Sequence, residues 1–415
     1  MRMYKNTWHP FLFFLIRVIL INNKFSNMSI LLLVPVRVRK DQKHYIVENI
    51  ETGDFYEMPE ICVTALECFS NGLTIKQTEE ELAKVYQNEA ASIYEFVEQL
   101  LDYNLIKSID GHELVFNQER KKEAGFKWIP ERLGKFFFHK SMKWFYWIIF
   151  IGCLFLMGLY PYLLPNFKDI FVFNTITLSM LFWIGITFTT ILFHEFGHIL
   201  ALRANNLPAK LGIGHRLFIV VFETDMSAAW ALNPHSRNFL FLSGLCFDTV
   251  VLFSGLSLQL VVSEGTFFSA VLRLLVLDCI LRMVYQCGVY MKTDLYYVIE
   301  NKTGVYNLME STNTLIKEKL GFKRKERSNS ESPEGRSFIR IYAVFYIFGI
   351  TATLAMFVLF YIPQLLYALK IVIPGFNSPI SSPAFWDAFI FTMQLSIGLS
   401  LLLYSWNKKY RLKKE

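Results

Sequence analysis

Closely spaced cysteine pairs are absent from this chain. Its 6 cysteines are scattered along 415 residues, and no two of them form a Cys-x-x-Cys pair. This spacing argues against a thiolate zinc cluster and against a disulfide-stabilised scaffold, because both need cysteines at short, regular intervals. Several fall in apolar stretches, and we interpret all of them as reduced core residues: Cys62, Cys68, Cys153, Cys246, Cys279 and Cys287.

Residues 85–106 contain no lysine or arginine, although their pattern is that of an amphipathic helix. They carry the acidic residues Glu89, Glu95, Glu98 and Asp102. Because phosphates repel an acidic helix, this composition argues against nucleic-acid binding. The chain also lacks an internal repeat and a pair of interrupted apolar helices, which argues against a transporter built from inverted repeats.

Residues 1–27 lack the features of a secretory signal peptide. Their apolar stretch, residues 11–21, is short, Arg17 interrupts it, and no small-residue cleavage site follows it. We therefore leave residues 1–27 as an unassigned N-terminal extension, and both Met1 and Met28 are candidate start residues.

Apolar residues, in contrast, are abundant. They make up 53% of the chain, 40 residues are Phe, and the mean hydropathy is +0.33. Such values exceed those of an average soluble protein. Six apolar segments are long enough to cross roughly 30 Å of hydrocarbon as helices: residues 144–164, 171–202, 239–262, 267–291, 341–362 and 384–406. The sequence therefore predicts a mainly α membrane protein, a polytopic bundle of about six transmembrane helices.

The basic residues indicate how this bundle is oriented. Lys and Arg number 8 in residues 119–143, 4 after the second span, 10 after the fourth and 5 in the tail. The loops on the opposite side hold only Lys168 and Lys370. The positive-inside rule therefore predicts that the N-terminal domain and the C-terminus are cytoplasmic.

Residues 28–118 predict a small winged-helix-like α+β domain. Alternation with period two from Leu31 and again from Tyr45, closed by a turn at residues 52–54, indicates strands. The later part predicts three helices at residues 59–69, 75–86 and 89–103, with Thr74 as the N-cap of the second, and a hairpin at residues 107–116.

The rest of the chain is divided into four further segments. The expected order is a basic linker at 119–143, a membrane core at 144–301, a cytoplasmic loop at 302–340 with a flexible Ser-rich stretch, and two further transmembrane helices with a basic tail at 341–415.

The second apolar segment ends in His194-Glu195-Phe196-Gly197-His198. Two imidazoles four residues apart lie on one face of a helix, so both can bind one Zn²⁺. Glu195 stands beside the first as a general base for water that the metal polarises. Polar residues are costly in a membrane, so three together are a functional candidate. The alternative is a chance match in which the histidines only hydrogen-bond neighbouring helices.

A catalytic zinc site normally takes three protein ligands. The second and fourth spans are predicted to run in the same direction, and Asp294 lies just beyond the fourth, at a depth similar to that of the histidines. Asp294 is therefore the candidate third ligand, and the alternative is an ordinary acid paired with Lys292.

Four other residues compete for the same role. Asp278 lies within the fourth span, about four turns deeper than the histidines by helix rise, and Arg282 can neutralise it at i, i+4. Asp248 lies in the third span, and an acid within a membrane is a functional candidate by default. His215 and His235 lie in the loop after the second span, near the expected site.

One set of residues in the N-terminal domain has the pattern of a known family: Tyr45-Ile46-Val47-Glu48-Asn49, the Thr52-Gly53 turn, Leu66, Leu73-Thr74, Leu82-Ala83, and the stripe Phe96-Val97, Leu100-Leu101, Leu105-Ile106. It resembles the small chaperone domain of pyrroloquinoline-quinone biosynthesis. The resemblance implies a domain that holds the leader of a ribosomally made precursor peptide. A short sheet with an open edge is itself suited to strand addition. The alternative is a domain that only packs on the membrane part.

The membrane core carries a second set: His194-Glu195-x-x-His198, Arg237 followed by Leu242-Ser243-Gly244, and Lys292-Thr293-Asp294-Leu295-Tyr296-Tyr297. These residues resemble the site-2-protease family of zinc metallopeptidases, and more closely its branch of bacterial peptide zinc metalloproteases. The resemblance implies that His194, His198 and Asp294 bind zinc and that Glu195 is the catalytic acid/base. The family usually has Asp-Gly where this chain has Asp294-Leu295, and the Asn-Pro of many members is missing.

These observations predict a zinc endopeptidase of the bacterial cell membrane that binds and cleaves a precursor peptide during peptide maturation or export. The strand-like residues 217–222 could present the peptide backbone to the metal. The expected partners are the peptide, the lipid bilayer and co-encoded maturation or export proteins. The alternative function is a non-proteolytic, peptide-binding membrane component of an export or self-immunity system.

Overall fold

The computed structural model describes residues 25–42, 44–86, 92–114, 125–217, 219–321 and 333–411. Most of the predicted extension at 1–27, the start of the basic linker and most of the Ser-rich stretch lie outside these residues. Contacts between residues divide the chain into two units. The first unit contains the described residues up to 114 and Ser227–Pro234, and nearly all other described residues belong to the second.

The first unit is a small α+β structure. Its elements are strands β1 (Leu31–Leu33), β2 (Val36–Asp41), β3 (His44–Asn49) and β4 (Phe55–Met58), helices α1 (Glu60–Ser70), α2 (Ile75–Val85) and α3 (Ile93–Asp102), and strands β5 (Ile106–Ile109) and β6 (His112–Glu113). They form two antiparallel three-stranded sheets, in the orders β1-β5-β6 and β2-β3-β4.

Local sequence explains where these elements begin and end. Thr74 is confirmed as the N-cap of α2, because its side chain accepts a hydrogen bond from the Gln77 amide and the Gln77 side chain accepts one from the Thr74 amide. Helix α3 begins later than predicted because Ser92 caps it, accepting from the Glu95 amide at 3.3 Å. Asp110 and Gly111 both have positive φ, as the tight turn of the β5–β6 hairpin requires.

The second unit is mainly helical. Its elements are helices α4 (Glu131–Phe138), α5 (Met142–Leu159) and α6 (Ile176–Ala204), strands β7 (Leu211–Arg216) and β8 (Ile219–Thr224), and helices α7 (Pro234–Phe241), α8 (Ser243–Gln259), α9 (Phe267–Gln286), α10 (Asp294–Thr303), α11 (Leu308–Lys319), α12 (Pro333–Met356), α13 (Ile362–Val372) and α14 (Pro383–Arg411). A π-helical turn, Phe357–Tyr361, joins α12 to α13. Strands β7 and β8 form an antiparallel hairpin.

Four helical segments in the described part of the chain are long and apolar enough to cross a membrane: Met142–Leu159, Thr177–Ala204, Gly335–Asn377 and Pro383–Asn407. The pair α7 and α8, bent by 40°, gives a fifth if it acts as one span. The chain is thus a mainly α membrane protein, with four to five such segments among its described residues where the sequence predicts about six transmembrane helices.

The difference lies in helix α9. It carries Arg273, Asp278 and Arg282 within 20 residues, and this charge sets it apart from the other long helices. A second difference concerns the predicted span at 341–362, which belongs to a helical run of 43 residues. That run continues through Pro363, whose missing N–H removes one hydrogen bond of the helix, and the π-helical turn Phe357–Tyr361 directly precedes it.

Two helices pack closely against α6. A Cβ atom on Gly197 would approach the Ser243 carbonyl oxygen to 2.7 Å, and one on Gly134 would approach the Leu200 carbonyl oxygen to 2.5 Å. Helices α4 and α8 therefore approach α6 at positions where only glycine fits. Helix α4 lies in the segment predicted as a basic linker, so the described part of that segment is helical and packed.

Candidate metal centre

Helix α6 carries the His-Glu-x-x-His motif near its C-terminal end. His194 and His198 are four residues apart on one helix face, and they are 3% and 2% exposed. Glu195 is also buried. The helix thus turns three titratable side chains away from solvent.

Asp294 reaches the same point from another helix. Its Oδ2 atom lies 3.0 Å from His194 Nε2 and 3.2 Å from His198 Nε2, and the two Nε2 atoms lie 3.3 Å apart. Ligand atoms at about 2.0–2.1 Å from a tetrahedral zinc are roughly 3.3–3.4 Å from one another. The spacing of these three atoms matches one face of such a tetrahedron.

The other nitrogen of each imidazole is already bonded. His194 Nδ1 lies 2.7 Å from Asp248 Oδ2, to which it donates. His198 Nδ1 lies 2.9 Å from the hydroxyl oxygen of Ser243, whose proton goes to the Leu240 carbonyl, so that hydroxyl accepts. In their neutral form both histidines therefore carry the proton on Nδ1 and turn the lone pair of Nε2 towards Asp294, as metal-ligating histidines do.

In that form three atoms with lone pairs converge. Two imidazole nitrogens and a carboxylate oxygen within 3.3 Å of one another repel unless a proton or a metal ion lies between them. Nitrogen and carboxylate ligands in this number suit Zn²⁺. The residues present therefore fit the metal that the sequence predicts.

The chain around Asp294 holds its carboxylate in place. The Asp294 amide donates to the side-chain oxygen of Gln286 at 3.0 Å, and the Thr293 hydroxyl donates to the Gln286 carbonyl at 2.7 Å. Burial by itself raises the pKa of the Asp294 carboxyl, but the imidazoles of His198 and His194, when protonated, outweigh burial through their charge and hydrogen bonds and hold that pKa well below its usual range. Asp294 is therefore ionised at neutral pH.

Asp248, one of the competing acids, supports His194 instead of replacing Asp294. Its second oxygen, Oδ1, accepts from Arg282 at 3.0 and 3.1 Å. Arg282 also pairs with Asp278 at 3.2 Å, and Asp278 accepts from Trp183 and from Thr190. Asp278 is thus committed to a buried polar network away from the two Nε2 atoms.

This network leads to a prediction about zinc affinity. Asp248→Asn keeps the shape of the side chain but weakens the bond that orients His194, so zinc affinity is expected to fall by roughly 10–100-fold. Asp278→Asn is the matched control, because it also loses a carboxylate facing Arg282 but does not touch a histidine. Competition with a zinc-binding dye measures both affinities. Equal losses in the two variants would mean that Asp248 acts through Arg282 rather than on His194.

Glu195 is held by the β7–β8 hairpin. Its Oε2 atom accepts from the Thr224 amide and from the Thr224 hydroxyl, each at 2.8 Å. A carboxylate oxygen of Glu195 and one nitrogen of each histidine lie within 4.8 Å of one another. A water bound beside the two nitrogens would be within reach of Glu195, which is the position that a general base needs.

Gly244, at the start of α8, leaves the space between the histidines open. A Cβ atom at this position would overlap His194 Nε2 and would lie 2.6 Å from His198 Nε2. Any side chain here would therefore occupy the point at which the ligand atoms meet. In the sequence, Gly244 is marked only by the pattern Leu242-Ser243-Gly244.

The two competing histidines lie elsewhere. His215 on β7 is 2.8 Å from the Ser405 hydroxyl, and His235 is exposed. The supporting roles of Thr224 and Ser243 were missed, because neither residue has a sequence signal that distinguishes it. Asp248 did have a sequence signal, because an acid in an apolar segment needs a partner. That partner, His194, is 54 residues away along the chain.

Glu300, further along α10, is the second buried acid of that helix after Asp294. It is 2% exposed and accepts hydrogen bonds from the Tyr296 hydroxyl and from the Leu308 amide at 2.8 Å. Burial, opposed by these two hydrogen bonds, raises the pKa of Glu300 from 4.5 to about 7. The folded protein therefore binds this proton more tightly than the unfolded chain does.

We expect a pH-dependent stability from this group. Its contribution is fully present below pH 4.5 and is lost as the pH rises through about 7, a change of about 3 kcal/mol at most. Glu300→Gln cannot ionise, so its thermal unfolding in detergent should depend less on pH over that interval than that of the wild type. Identical pH profiles would contradict the assignment.

Comparison of the chain with protein-family models, with curated proteins and with solved structures finds no match. The function is therefore inferred from the residues of the site: two imidazoles on one helix and a carboxylate that converge, with a second carboxylate held beside them. Such a set is chemically able to support metal-assisted hydrolysis.

Proposed function

We propose that this protein is a membrane-embedded zinc endopeptidase that cleaves a ribosomally synthesised precursor peptide or another membrane-associated peptide. One observation carries the proposal: His194 Nε2, His198 Nε2 and Asp294 Oδ2, three atoms of the types that bind zinc, lie 3.0–3.3 Å apart. The resemblance of the motifs to site-2 proteases agrees with it.

The chain's own residues supply the remaining chemistry. A zinc ion held by His194, His198 and Asp294 would polarise the scissile carbonyl and favour loss of a proton from water at neutral pH. Glu195 would accept that proton as the water attacks and pass it to the leaving amine. Thr224 keeps the Glu195 carboxylate directed at the metal side of the helix through two hydrogen bonds of 2.8 Å.

The outer edge of β8 supports a mode of substrate binding. The Asp225 amide donates to the Lys210 carbonyl across the hairpin, so the Thr224 amide points the other way, to Glu195. Amides of alternate residues point to the same edge, so the Phe222 amide also faces outwards. Within the described residues, β8 pairs only with β7. A peptide could add to this edge as an extended strand, and a helical substrate would have to unwind first.

The first unit fits a role in substrate capture. Its sheet β2-β3-β4 has β2 and β4 as its outer strands, and a leader peptide could extend that sheet by the same mechanism. Its winged-helix-like order of elements and its likeness to the pyrroloquinoline-quinone chaperone domain support this role. Helix α9 would be a further span, giving six in all with both termini in the bacterial cytoplasm.

The decisive experiment combines two measurements on detergent-purified protein. Zinc per chain is determined by mass spectrometry, and cleavage is assayed with a precursor peptide encoded beside the gene. One zinc per chain together with cleavage supports the peptidase. One zinc without cleavage of any co-encoded peptide favours a peptide-binding export or immunity component, and no zinc would refute the metal centre.

A further inference from the structure

The β7–β8 hairpin borders a cavity for which the reaction has no evident use. Its volume is about 260 Å³, and it is lined by Leu211, Gly212, Ile213, Phe222 and Tyr404. None of these side chains is charged, and the only polar one is the Tyr404 phenol. Its side chains therefore offer a largely apolar surface to a bound group, and polar atoms contribute the rest of the lining.

The register of the hairpin places this cavity next to Glu195. Ile213 pairs with Phe222, and Leu211 pairs with Thr224, whose side chain and amide hold Glu195. Side chains of residues i and i+2 lie on one face of a strand, so Phe222 and Thr224 share a face. They are separated by two residues, or roughly 6.6 Å along the strand.

Helices α6 and α14 contact the hairpin beside the cavity. The Phe222 ring packs edge-on against Phe188 of α6, with ring centroids 5.5 Å apart. His215 Nδ1 lies 2.8 Å from the Ser405 hydroxyl, which holds α14 against the hairpin and brings Tyr404 to the cavity. The cavity is thus formed by the hairpin and α14, and Phe222 links it to the helix that carries the histidines.

We propose that this cavity receives an apolar side chain of the peptide substrate, close to the scissile bond. The proposal rests on the proposed peptidase function. A peptide extended along the outer edge of β8 would pass Glu195 at Thr224 and reach Phe222 within two residues. The cavity would therefore select the substrate side chain that lies within two residues of the cleaved bond.

The hydrophobic effect sets the expected size of this selection. Leu has three more carbon atoms than Ala, and each buried CH₂ contributes about 0.8 kcal/mol. Because the cavity is partly open, only part of this gain applies. We expect a roughly tenfold preference for Leu over Ala at the selected position.

The test uses zinc-loaded, full-length protein and three dipeptide hydroxamates whose variable side chain is that of Ala, Leu or Trp. A hydroxamate binds the metal directly, so its affinity can be measured by thermal shift without a known substrate. The wild type should prefer the Leu compound over the Ala compound. Ile213→Trp should abolish this preference by closing the cavity, and Ile213→Ala should shift it towards the Trp compound.

Val221→Ala is the matched control, because Val221 pairs with Gly214 and its side chain lies on the opposite face of β8. Its preference should equal that of the wild type. Zinc content, expected to be the same in all four proteins, reports a misfolded variant. The Ala compound should bind them all with similar affinity.

Two results would overturn the inference in different ways. Hydroxamates that bind with one affinity, whatever their side chain, to the wild type and to both Ile213 variants would show that the cavity selects nothing in the substrate. In that case a long-chain detergent would be added as a competitor for the cavity. If it displaced none of the hydroxamates, a lipid chain bound in the cavity could not be what hid the selection. Failure of every hydroxamate to bind would refute the metal centre and the peptidase with it.

Discussion

Replacing Glu195 by glutamine is expected to leave one zinc per chain and to slow peptide cleavage by about 10²–10⁴-fold. Glutamine keeps the size of the side chain and an acceptor oxygen for the Thr224 amide, which is bonded to Glu195 at 2.8 Å. It cannot take a proton from water. Zinc analysis and a cleavage assay on the same preparation measure the two effects separately.

The control for this prediction is His194→Ala, which removes a ligand atom and should lose both zinc and cleavage. Together the two variants separate proton transfer from metal binding. Cleavage at the wild-type rate by Glu195→Gln would refute the role of Glu195, whatever its zinc content. Loss of zinc from Glu195→Gln would instead mean that Glu195 is a ligand.

Gly244→Ala is expected to abolish stoichiometric zinc binding and, with it, cleavage. The added methyl would overlap His194 Nε2 and would lie 2.6 Å from His198 Nε2, at the point where the ligand atoms converge. Gly244 is the second residue of helix α8 and does not have a positive φ, so alanine introduces no backbone strain there. A loss of zinc could therefore not be attributed to a weaker helix.

Gly185→Ala is the matched control on α6, because a Cβ atom there would meet no atom within 4 Å. That variant should keep its zinc and should be slightly more stable than the wild type. Mass spectrometry of the purified proteins gives both zinc contents. One zinc per chain in Gly244→Ala would show that the metal does not lie between the two histidines.

Much of the local structure was readable from sequence, for reasons that act over short distances. The helix boundaries of the first unit follow from caps such as Thr74 and Ser92, and its β5–β6 turn follows from Asp110-Gly111. The long apolar segments follow from composition. The number of spans did not follow from composition, because α9 carries three charged residues among its 20 and because the bend between α7 and α8 is a feature of the tertiary structure.

The candidate site shows the same division. The spacing of His194 and His198 on a helix is local, so the pair and the adjacent Glu195 could be proposed from the motif alone. Asp294 could be proposed because the expected topology and the family resemblance both led to it. The proton positions on the histidines could not, since they depend on Asp248 and on Ser243, which the fold brings from other parts of the chain.

By itself, the sequence determined that this is a mainly α membrane protein with an α+β N-terminal unit and with two histidines and a glutamate on one helix. Those features depend on hydropathy, on residue periodicity and on spacing within one element. Only the tertiary structure decided which acids serve the histidines, that Gly244 keeps their centre open, and that a hairpin edge and an apolar cavity lie beside Glu195. Each of those features requires residues from different elements to lie within a few ångströms of one another, and that depends on how helices and strands pack.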